Sequence, residues 1–384
     1  MKKIYSFLFL GLSLAALSSC SDDVTNDITV HGTELLSAGS TSFSAVGGTD
    51  TIVAKSPVTA AYSADSWLTT SVSGNRVAFT AAPNTSKESR HTTLVIKSSA
   101  QDSAIVDIDQ LGAVLQLSVP SSLVFSDAAA TRSYDYISSL PVTAVSTADW
   151  LSVSAGSKLT ISAAANNTGS VRTANLSIIS GADTTRVIVS QGSFSDLEGV
   201  YKLYTYENPQ KPDSTYAQIT TDKAGNPVLN LLEFGLVVPV TFSQNTLSIS
   251  LSAGQYIGNY SLQGTTYAVY TGLFNHNSGN LTFSTSASYT SLFTSVSNTT
   301  VGLFTDNGSA PFSVNGIALG AYSVADSTKE PQYVGNLVKL FDPRLIRLDS
   351  AADSGLAKRS AFSGVKAKPA KQLTLKSRFA VSRK

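Results

Sequence analysis

The tetrapeptide Asp65-Ser66-Trp67-Leu68 recurs as Ala148-Asp149-Trp150-Leu151, 83 residues further along the chain from tryptophan to tryptophan. These are the two tryptophans of the sequence, and a leucine follows each. Recurrence at a fixed period is the signature of a repeated structural unit. The pair therefore predicts a duplication that sets the fold of the N-terminal half.

Further landmarks surround both tryptophans in the same order. They are an upstream Pro-Val-Thr-Ala, a downstream Asn-Thr, one arginine and a final glutamine: Pro57–Ala60 and Pro141–Ala144, Asn84-Thr85 and Asn167-Thr168, Arg90 and Arg172, Gln110 and Gln191. Their offsets are nearly constant. This arrangement indicates a tandem duplication.

Within each unit, apolar residues alternate with polar ones, as in Val77 and Phe79 or Leu159 and Ile161. A period of two predicts β-strands, and pairs such as Gly47-Gly48 supply turns. About seven short strands in about 80 residues are typical of an immunoglobulin-like sandwich. We expect the tryptophan to be the largest residue of each core.

Together these motifs resemble the BACON domain family: Trp-Leu after an acidic or small residue, Asn-Thr and an arginine before a strand, and a last strand ending in glutamine. The resemblance covers residues 33–113 and 114–194. The second copy, Asn167–Arg172, matches the pattern more closely than the first, which has Lys87–Ser89 at that place. The family consists of Bacteroidetes-associated modules, often N-terminal and proposed to bind carbohydrate. A spacer role, which holds a distal domain away from the membrane, explains a tandem array equally well.

The N-terminus has the three-part layout of a secretory signal peptide, with Lys2 and Lys3, an apolar stretch from Ile4 to Leu17, and small residues before Cys20. The apolar stretch of 14 residues is shorter than the roughly 20 that a helix needs to cross a bilayer. We therefore expect residues 1–19 to be a cleaved signal peptide.

Leu17-Ser18-Ser19-Cys20 resembles a bacterial lipobox, which implies that Cys20 is lipidated and becomes the first mature residue. Ser21-Asp22-Asp23 resembles the export signal of Bacteroidetes surface lipoproteins. These resemblances imply an outer-membrane protein that is held by its lipid anchor and faces the cell exterior. Residues 20–32 are then a flexible leader.

Composition and charge narrow the function classes. Only 14% of residues are charged, and Cys20 is the one cysteine, so no disulfide is expected.

Residues 355–384 carry nine basic and no acidic residues, against 18 basic and 26 acidic residues before them. We expect this tail to be disordered and solvated. It would also suit anionic lipopolysaccharide or an acidic partner, but nucleic acid is poorly placed outside a cell.

Residues 195–354 differ from the repeats. This stretch lacks tryptophan and holds eleven of the fifteen tyrosines. About ten alternating strands predict one larger antiparallel β-sandwich or barrel. The predicted fold class is all-β, with two tandem immunoglobulin-like sandwiches followed by this C-terminal domain.

A catalytic constellation is hard to find in the sequence. The histidines His31, His91 and His276 lie in three segments without ligand-spaced neighbours, so neither a metal nor a cofactor is expected. Glu233 is the one C-terminal carboxylate within an apolar strand, where burial would raise its pKa, although a half-buried strand would direct it to solvent. We do not expect an enzyme. A glycan hydrolase with its site on C-terminal loops is an alternative.

Binding has more support from the residues. Exposed tyrosines stack on the apolar faces of sugars, and Tyr204 and Tyr206 share one strand face, as do Tyr256 and Tyr260 if their strand is regular. The alternative is that these tyrosines pack in the core. We predict a glycan or polysaccharide ligand for the C-terminal domain, with the repeats as spacers. A structural or adhesive protein that engages a protein partner is the other hypothesis.

Overall fold

A computed structural model describes residues 32–208, 211–323 and 331–348. In these ranges the chain forms thirty strands and one short helix, which confirms the predicted all-β class. No helix within them is long and apolar enough to cross a membrane. The predicted signal peptide, Cys20, the leader up to residue 31 and the basic tail lie outside the described residues.

The chain divides into two compact units. The first contains the described residues up to Phe43, together with Gly47–Ala82 and His91–Gln110. The second contains Ser44–Val46, Pro83–Arg90 and the described residues from Leu111 onward.

The first repeat is a sandwich of two four-stranded sheets, with strand orders β1-β3-β6-β5 and β2-β8-β7-β4. Side chains alternate between buried and accessible positions along its longer strands, as the period of two predicts. Its strands are β1 (Leu35–Ser37), β2 (Ser42–Phe43), β3 (Gly48–Ala54), β4 (Ala60–Ser63), β5 (Leu68–Ser73), β6 (Arg76–Ala81), β7 (Arg90–Lys97) and β8 (Ser103–Gln110).

The second repeat has a closely related strand arrangement, divided into three smaller sheets. Its strands are β9 (Leu115–Leu117), β10 (Ser122–Phe125), β11 (Ala130–Tyr134), β12 (Tyr136–Ser138), β13 (Val142–Ser146), β14 (Leu151–Ala155), β15 (Leu159–Ala163), β16 (Arg172–Ser180) and β17 (Asp183–Gln191). One sheet has the order β10-β17-β16-β13, a second the order β11-β15-β14, and β9 pairs with β12. In both repeats an early strand runs parallel to the last one, β2 with β8 and β10 with β17. The structure thus confirms the duplication.

The structure shifts one landmark by a residue. Asn84 and Asn166 are both buried, and each donates from Nδ2 to the carbonyl four residues on, at 2.8 and 2.9 Å. Each Oδ1 also accepts from the backbone amide two residues on. Asn166 is therefore the counterpart of Asn84, and the sequence pairing with Asn167 is wrong. The hairpin that precedes each asparagine is one residue shorter in the second repeat, Leu151–Ala163 against Leu68–Ala81, and this moved the match.

The tryptophans do not fill the cores. Trp67 and Trp150 are only partly buried and pack against the edge of each core cluster. Phe79 and Phe125 are the fully buried aromatic residues of the two repeats. The expectation that a tryptophan is the largest residue of each core is wrong, because each tryptophan directly precedes a strand and only borders the core cluster.

The C-terminal region begins with the helix α1 (Phe194–Leu197) and continues as one thirteen-stranded sheet. Its strands are β18 (Gly199–Asn208), β19 (Lys211–Thr221), β20 (Pro227–Leu231), β21 (Leu236–Pro239), β22 (Thr241–Ser243), β23 (Ser248–Ser252), β24 (Tyr256–Leu262), β25 (Thr265–Phe274), β26 (Leu281–Thr282), β27 (Ser288–Val296), β28 (Thr299–Asp306), β29 (Gly316–Ser323) and β30 (Tyr333–Arg347).

Nine of these strands follow the order β21-β20-β19-β18-β30-β28-β27-β23-β22. The two end strands, β21 and β22, are consecutive in the chain, and only Val240 lies between them. The sheet is therefore nearly closed around an apolar core. Strands β24, β25 and β29 extend the sheet from the first part of β30. This arrangement confirms the predicted larger antiparallel domain.

Within the second unit, the second repeat and the C-terminal region share packing. Val171 is buried in the C-terminal core cluster. The Arg347 guanidinium of β30 donates to the carbonyl oxygens of Gly169 at 3.0 Å and Asp196 at 2.6 Å. The hydroxyls of Thr173 and Thr294 lie 3.1 Å apart.

Candidate functional site

Five aromatic side chains form a connected patch on one face of β24, β25, β29 and the start of β30. We call it the aromatic platform, and it consists of Tyr256, Tyr270, Phe283, Tyr322 and Tyr333. Neighbouring ring centroids lie 5.0 to 5.5 Å apart. The rings meet at tilted or edge-on angles, which are favourable geometries for aromatic pairs.

Strand alternation places the tyrosines on this face. In β25, Val269 and Leu273 enter the core, so Tyr270 lies on the opposite side of the sheet. Tyr256 is the cross-strand neighbour of Tyr270. Tyr322 is paired with Tyr333 in the same way across β29 and β30.

Phe283 comes from the chain just after β26 and lies over two glycines. A Cβ added at Gly272 would lie 2.7 Å from the Phe283 ring, and one added at Gly320 would lie 2.5 Å from it. Neither glycine has a positive φ. Space for the ring, rather than backbone conformation, therefore requires glycine at both positions.

The platform presents both ring surface and hydroxyl groups to solvent. Tyr256 is 53% and Tyr333 44% exposed, and the other three rings are half-buried. Burial raises the pKa of Tyr322, as does the nearby Tyr270. Burial and Tyr322 raise the pKa of Tyr333, against a hydrogen bond with Asn336 that lowers it. Both phenols are therefore neutral hydrogen-bonding groups at physiological pH.

Two of the four sequence-predicted tyrosines lie elsewhere on the region. Tyr204 and Tyr206 do share one face of β18, because they alternate with the buried Leu203 and Thr205. Tyr204 lies beneath the Lys202 ammonium, 5.0 Å from the ring centroid. The Tyr206 ring packs against Phe341, a residue outside the platform, with centroids 6.1 Å apart.

The other predicted pair is separated by a strand irregularity. The register of β24 shifts between Tyr256 and Gly258, whose φ is +122°. Tyr256 consequently lies opposite Tyr270 in the platform, whereas Tyr260 packs against the core. The predicted common face of Tyr256 and Tyr260 is wrong because it required a regular strand.

Sequence reasoning missed Tyr270, Phe283, Tyr322 and Tyr333. A usable signal was present for Tyr270 and Phe283, because the 72 residues from Phe234 to Thr305 contain no Asp, Glu, Lys or Arg. Such a stretch, rich in tyrosine, marks an uncharged surface. The contact between Phe283 and the two glycines depends on strand pairing and has no local signal.

The repeat landmarks form a structural cluster of their own in the second repeat. The Arg172 guanidinium lies 4.5 Å from the Trp150 ring centroid and donates to Gln191 Oε1 at 2.7 and 2.9 Å. Gln191 in turn donates from Nε2 to the carbonyl oxygens of Ser126 and Ala164. These residues recur together because they hold one another in place.

A shallow groove of about 460 Å³ lies beside Trp150. Its lining mixes small apolar side chains with hydroxyls and one carboxylate: Ala129, Ala130, Thr131, Asp149, Ser152, Ser162, Ala163 and Ala164.

The catalytic candidates stay apart in the part of the chain that the structure describes. Glu233 is exposed in the turn between β20 and β21, which corrects its placement in an apolar strand. His91 contacts Asp109 at 2.9 Å, and the His276 ring packs against Phe341. His31 lies outside the described residues, and no three His, Cys, Asp or Glu side chains within them cluster as a metal site would require.

Comparison with known proteins identifies the two repeats. Residues 57–111 and 141–192 match the BACON family, described as "Putative binding domain, N-terminal". The chain therefore carries two BACON domains, followed by a large β region. No curated protein matches the chain.

Three solved structures show partial likeness. A Bacteroides ovatus GH5 xyloglucanase in complex with a XXXG heptasaccharide is 21% identical over 20% of this chain and 18% of its own, with a TM-score of 0.19. An endo-fucoidan hydrolase of glycoside hydrolase family 107 is 10% identical over 40% and 32%, with a TM-score of 0.20. The I9–I11 tandem of titin is 8% identical over 80% and 96%, with a TM-score of 0.31. The chain thus spans less than a third of either enzyme.

Proposed function

We propose that this chain, which carries two BACON domains before a tyrosine-rich β region, is a non-catalytic protein that recognises glycan through the aromatic platform. The observation that carries the proposal is a connected group of five rings, of which Tyr256 and Tyr333 are exposed and the others half-buried, with two glycines beneath Phe283. Sugar rings have apolar faces that stack on aromatic side chains, while tyrosine hydroxyls exchange hydrogen bonds with sugar hydroxyls. A platform of this kind suits capture of a polymer at a surface.

The surroundings of the platform favour binding over hydrolysis. Glycoside hydrolysis needs two carboxyl groups that flank the scissile bond. The strands that carry the platform, β24, β25, β29 and β30, contain one carboxylate, Asp342, and it pairs with Arg344 at 2.6 Å. The BACON domains then serve as spacers.

The proposed location is the outer membrane, with a lipid on Cys20 and the protein facing the cell exterior. Support comes from the lipobox-like Leu17–Cys20 and the acidic run after it. Labelled fatty acid should enter the wild-type protein and not the Cys20→Ala variant. External protease should digest the wild-type protein on intact cells. Protection from the protease would instead place it on the periplasmic side.

A glycan array with the chain from Ser21 to Lys384 tests the proposed function. We expect the wild type to bind at least one glycan and the Tyr256→Ala/Tyr333→Ala double variant to lose that signal. Tyr62→Ala is the matched control, because Tyr62 is 49% exposed on the first repeat. Absence of any wild-type signal would contradict the proposal. Loss of binding in Trp150→Ala alone would move the site to the groove on the second repeat.

A further inference from the structure

The aromatic platform stands in an unusually uncharged part of the protein. Strands β24, β25, β26 and β29 contain no Asp, Glu, Lys or Arg, and neither does β30 before Lys339. The Lys339 ammonium lies over Phe274, a ring outside the platform, 5.5 Å from its centroid. Asp326, Lys329 and Glu330, between β29 and β30, lie outside the described residues.

The described polar groups of the β24–β25 hairpin are neutral ones. The Tyr256 hydroxyl donates to Asn259 Oδ1 at 3.0 Å. On the same hairpin, the hydroxyls of Ser261 and Thr266 lie 3.0 Å apart. Hydroxyls and amides both donate and accept hydrogen bonds, as sugar hydroxyls do.

A surface of aromatic rings and uncharged hydrogen-bonding groups should bind neutral glycans better than acidic ones. A carboxylate or sulfate is recognised through charge-assisted hydrogen bonds from Arg or Lys. An anion placed against the rings without such a partner would lose hydration and gain little in return. Neutral sugars need only the apolar faces and neutral hydrogen-bonding groups that the platform offers.

The extent of the platform indicates the length of the ligand. Its residues come from four adjacent strands, β24, β25, β29 and β30, together with Phe283. Neighbouring strands are about 4.8 Å apart, so three steps span roughly 14 Å. That span exceeds a single sugar ring, and the open surface would accept the interior of a chain.

We infer that the aromatic platform takes a neutral polysaccharide, bound along several consecutive sugar units, and discriminates against acidic polysaccharides. The inference rests on the proposed function and specifies its ligand class. The tyrosines supply stacking area, and the absence of cations from β24, β25, β29 and the part of β30 before Lys339 supplies the discrimination.

Polysaccharide pairs that share a backbone and differ in charge test the inference. Suitable pairs are hydroxyethylcellulose and carboxymethylcellulose, starch and carboxymethyl starch, and guar and carboxymethyl guar. Binding of the chain from Ser21 to Lys384 is measured by retardation in gels that contain each polymer, with the Tyr256→Ala/Tyr333→Ala variant alongside.

We expect retardation by at least one neutral polymer. Its carboxymethyl partner should bind the protein at least about tenfold more weakly. We also expect the neutral affinity to stay constant up to about 500 mM salt, where surface charges are screened. Equal or tighter binding of the carboxymethyl partner, or affinity that falls with salt, would overturn the inference and leave glycan recognition standing. No retardation by any polymer would contradict glycan recognition itself.

Discussion

Phe283 packs onto the sheet only because Gly272 and Gly320 beneath it lack side chains. The ring then contacts Tyr322 and Tyr333, with both centroid distances 5.4 Å. Two residues without side chains thus determine where three aromatic side chains can lie.

Gly320→Ala should disturb both stability and binding. The added Cβ would meet the Phe283 ring at 2.5 Å, so the ring must move or the sheet must shift. Overpacking of this kind costs about 1–3 kcal/mol in the free energy of unfolding. Denaturant unfolding measures that cost, and the glycan array should show weaker binding.

Gly156→Ala is the matched control, because Gly156 has no atom within 4 Å of an added Cβ and no positive φ. It should leave binding unchanged and should not lower stability, since alanine restricts the unfolded chain more than glycine does. Unaltered stability and binding in Gly320→Ala would show that Phe283 does not depend on the glycine.

The sequence predicts single positions only as far as local periodicity extends. Tyr204 and Tyr206 lie on one face because uninterrupted alternation is a local property of β18. Tyr256 and Tyr260 differ because the irregularity at Gly258 changes the phase. Phe283 reaches the platform through pairing of distant strands, which alternation does not encode.

At the scale of elements, the short helix α1 links the second BACON domain to β18. Its residue Asp196 is buried, and its Oδ2 accepts a hydrogen bond from the Ser193 amide at 2.9 Å. Burial raises the pKa of Asp196 to about 6, and a hydrogen bond with the Asp127 carboxyl adds to the effect. Positive charge from Arg347 acts in the opposite direction.

This carboxyl group should make stability fall as pH rises. Its folded pKa exceeds the ordinary value of 3.8, so the native state holds the proton more tightly than the unfolded state. The contribution is complete below about pH 4 and is lost as pH rises through about 6. Asp196→Asn keeps an oxygen acceptor and cannot ionise, so its stability relative to the wild type should increase across this window.

Denaturant unfolding of both proteins between pH 4 and pH 8 measures this difference. Asp213→Asn, which changes an exposed carboxylate of the same unit, is the control and should keep the wild-type pH profile. Parallel profiles for wild type and Asp196→Asn would contradict the assignment.

At the scale of the molecule, the second BACON domain and the C-terminal region form part of one compact unit. Val171 from the BACON domain is 2% exposed within the C-terminal core cluster. The sequence places a boundary after residue 194, and the shared core crosses it. The recurring landmarks predicted the duplication because these residues contact one another. No repeated sequence pattern indicates a core that two domains share.

Fragments of the chain should show that the stability of the C-terminal region depends on the second BACON domain. Residues 114–348 should unfold in one transition, and residues 195–348 should be less stable because they lack Val171 and the carbonyl of Gly169 that accepts from Arg347. Equilibrium unfolding in denaturant compares the two fragments. Equal midpoints would show that the C-terminal region stands alone.

The most direct measurement is calorimetric titration of a neutral polysaccharide identified on the array into three proteins. These are the wild type, the Tyr256→Ala/Tyr333→Ala double variant and the Tyr204→Ala variant. Tyr204 is 40% exposed and lies outside the platform. We predict that the double variant loses about tenfold or more in affinity and that Tyr204→Ala stays close to the wild type. Unchanged affinity in the double variant, or a loss confined to Tyr204→Ala, would contradict the aromatic platform as the binding site.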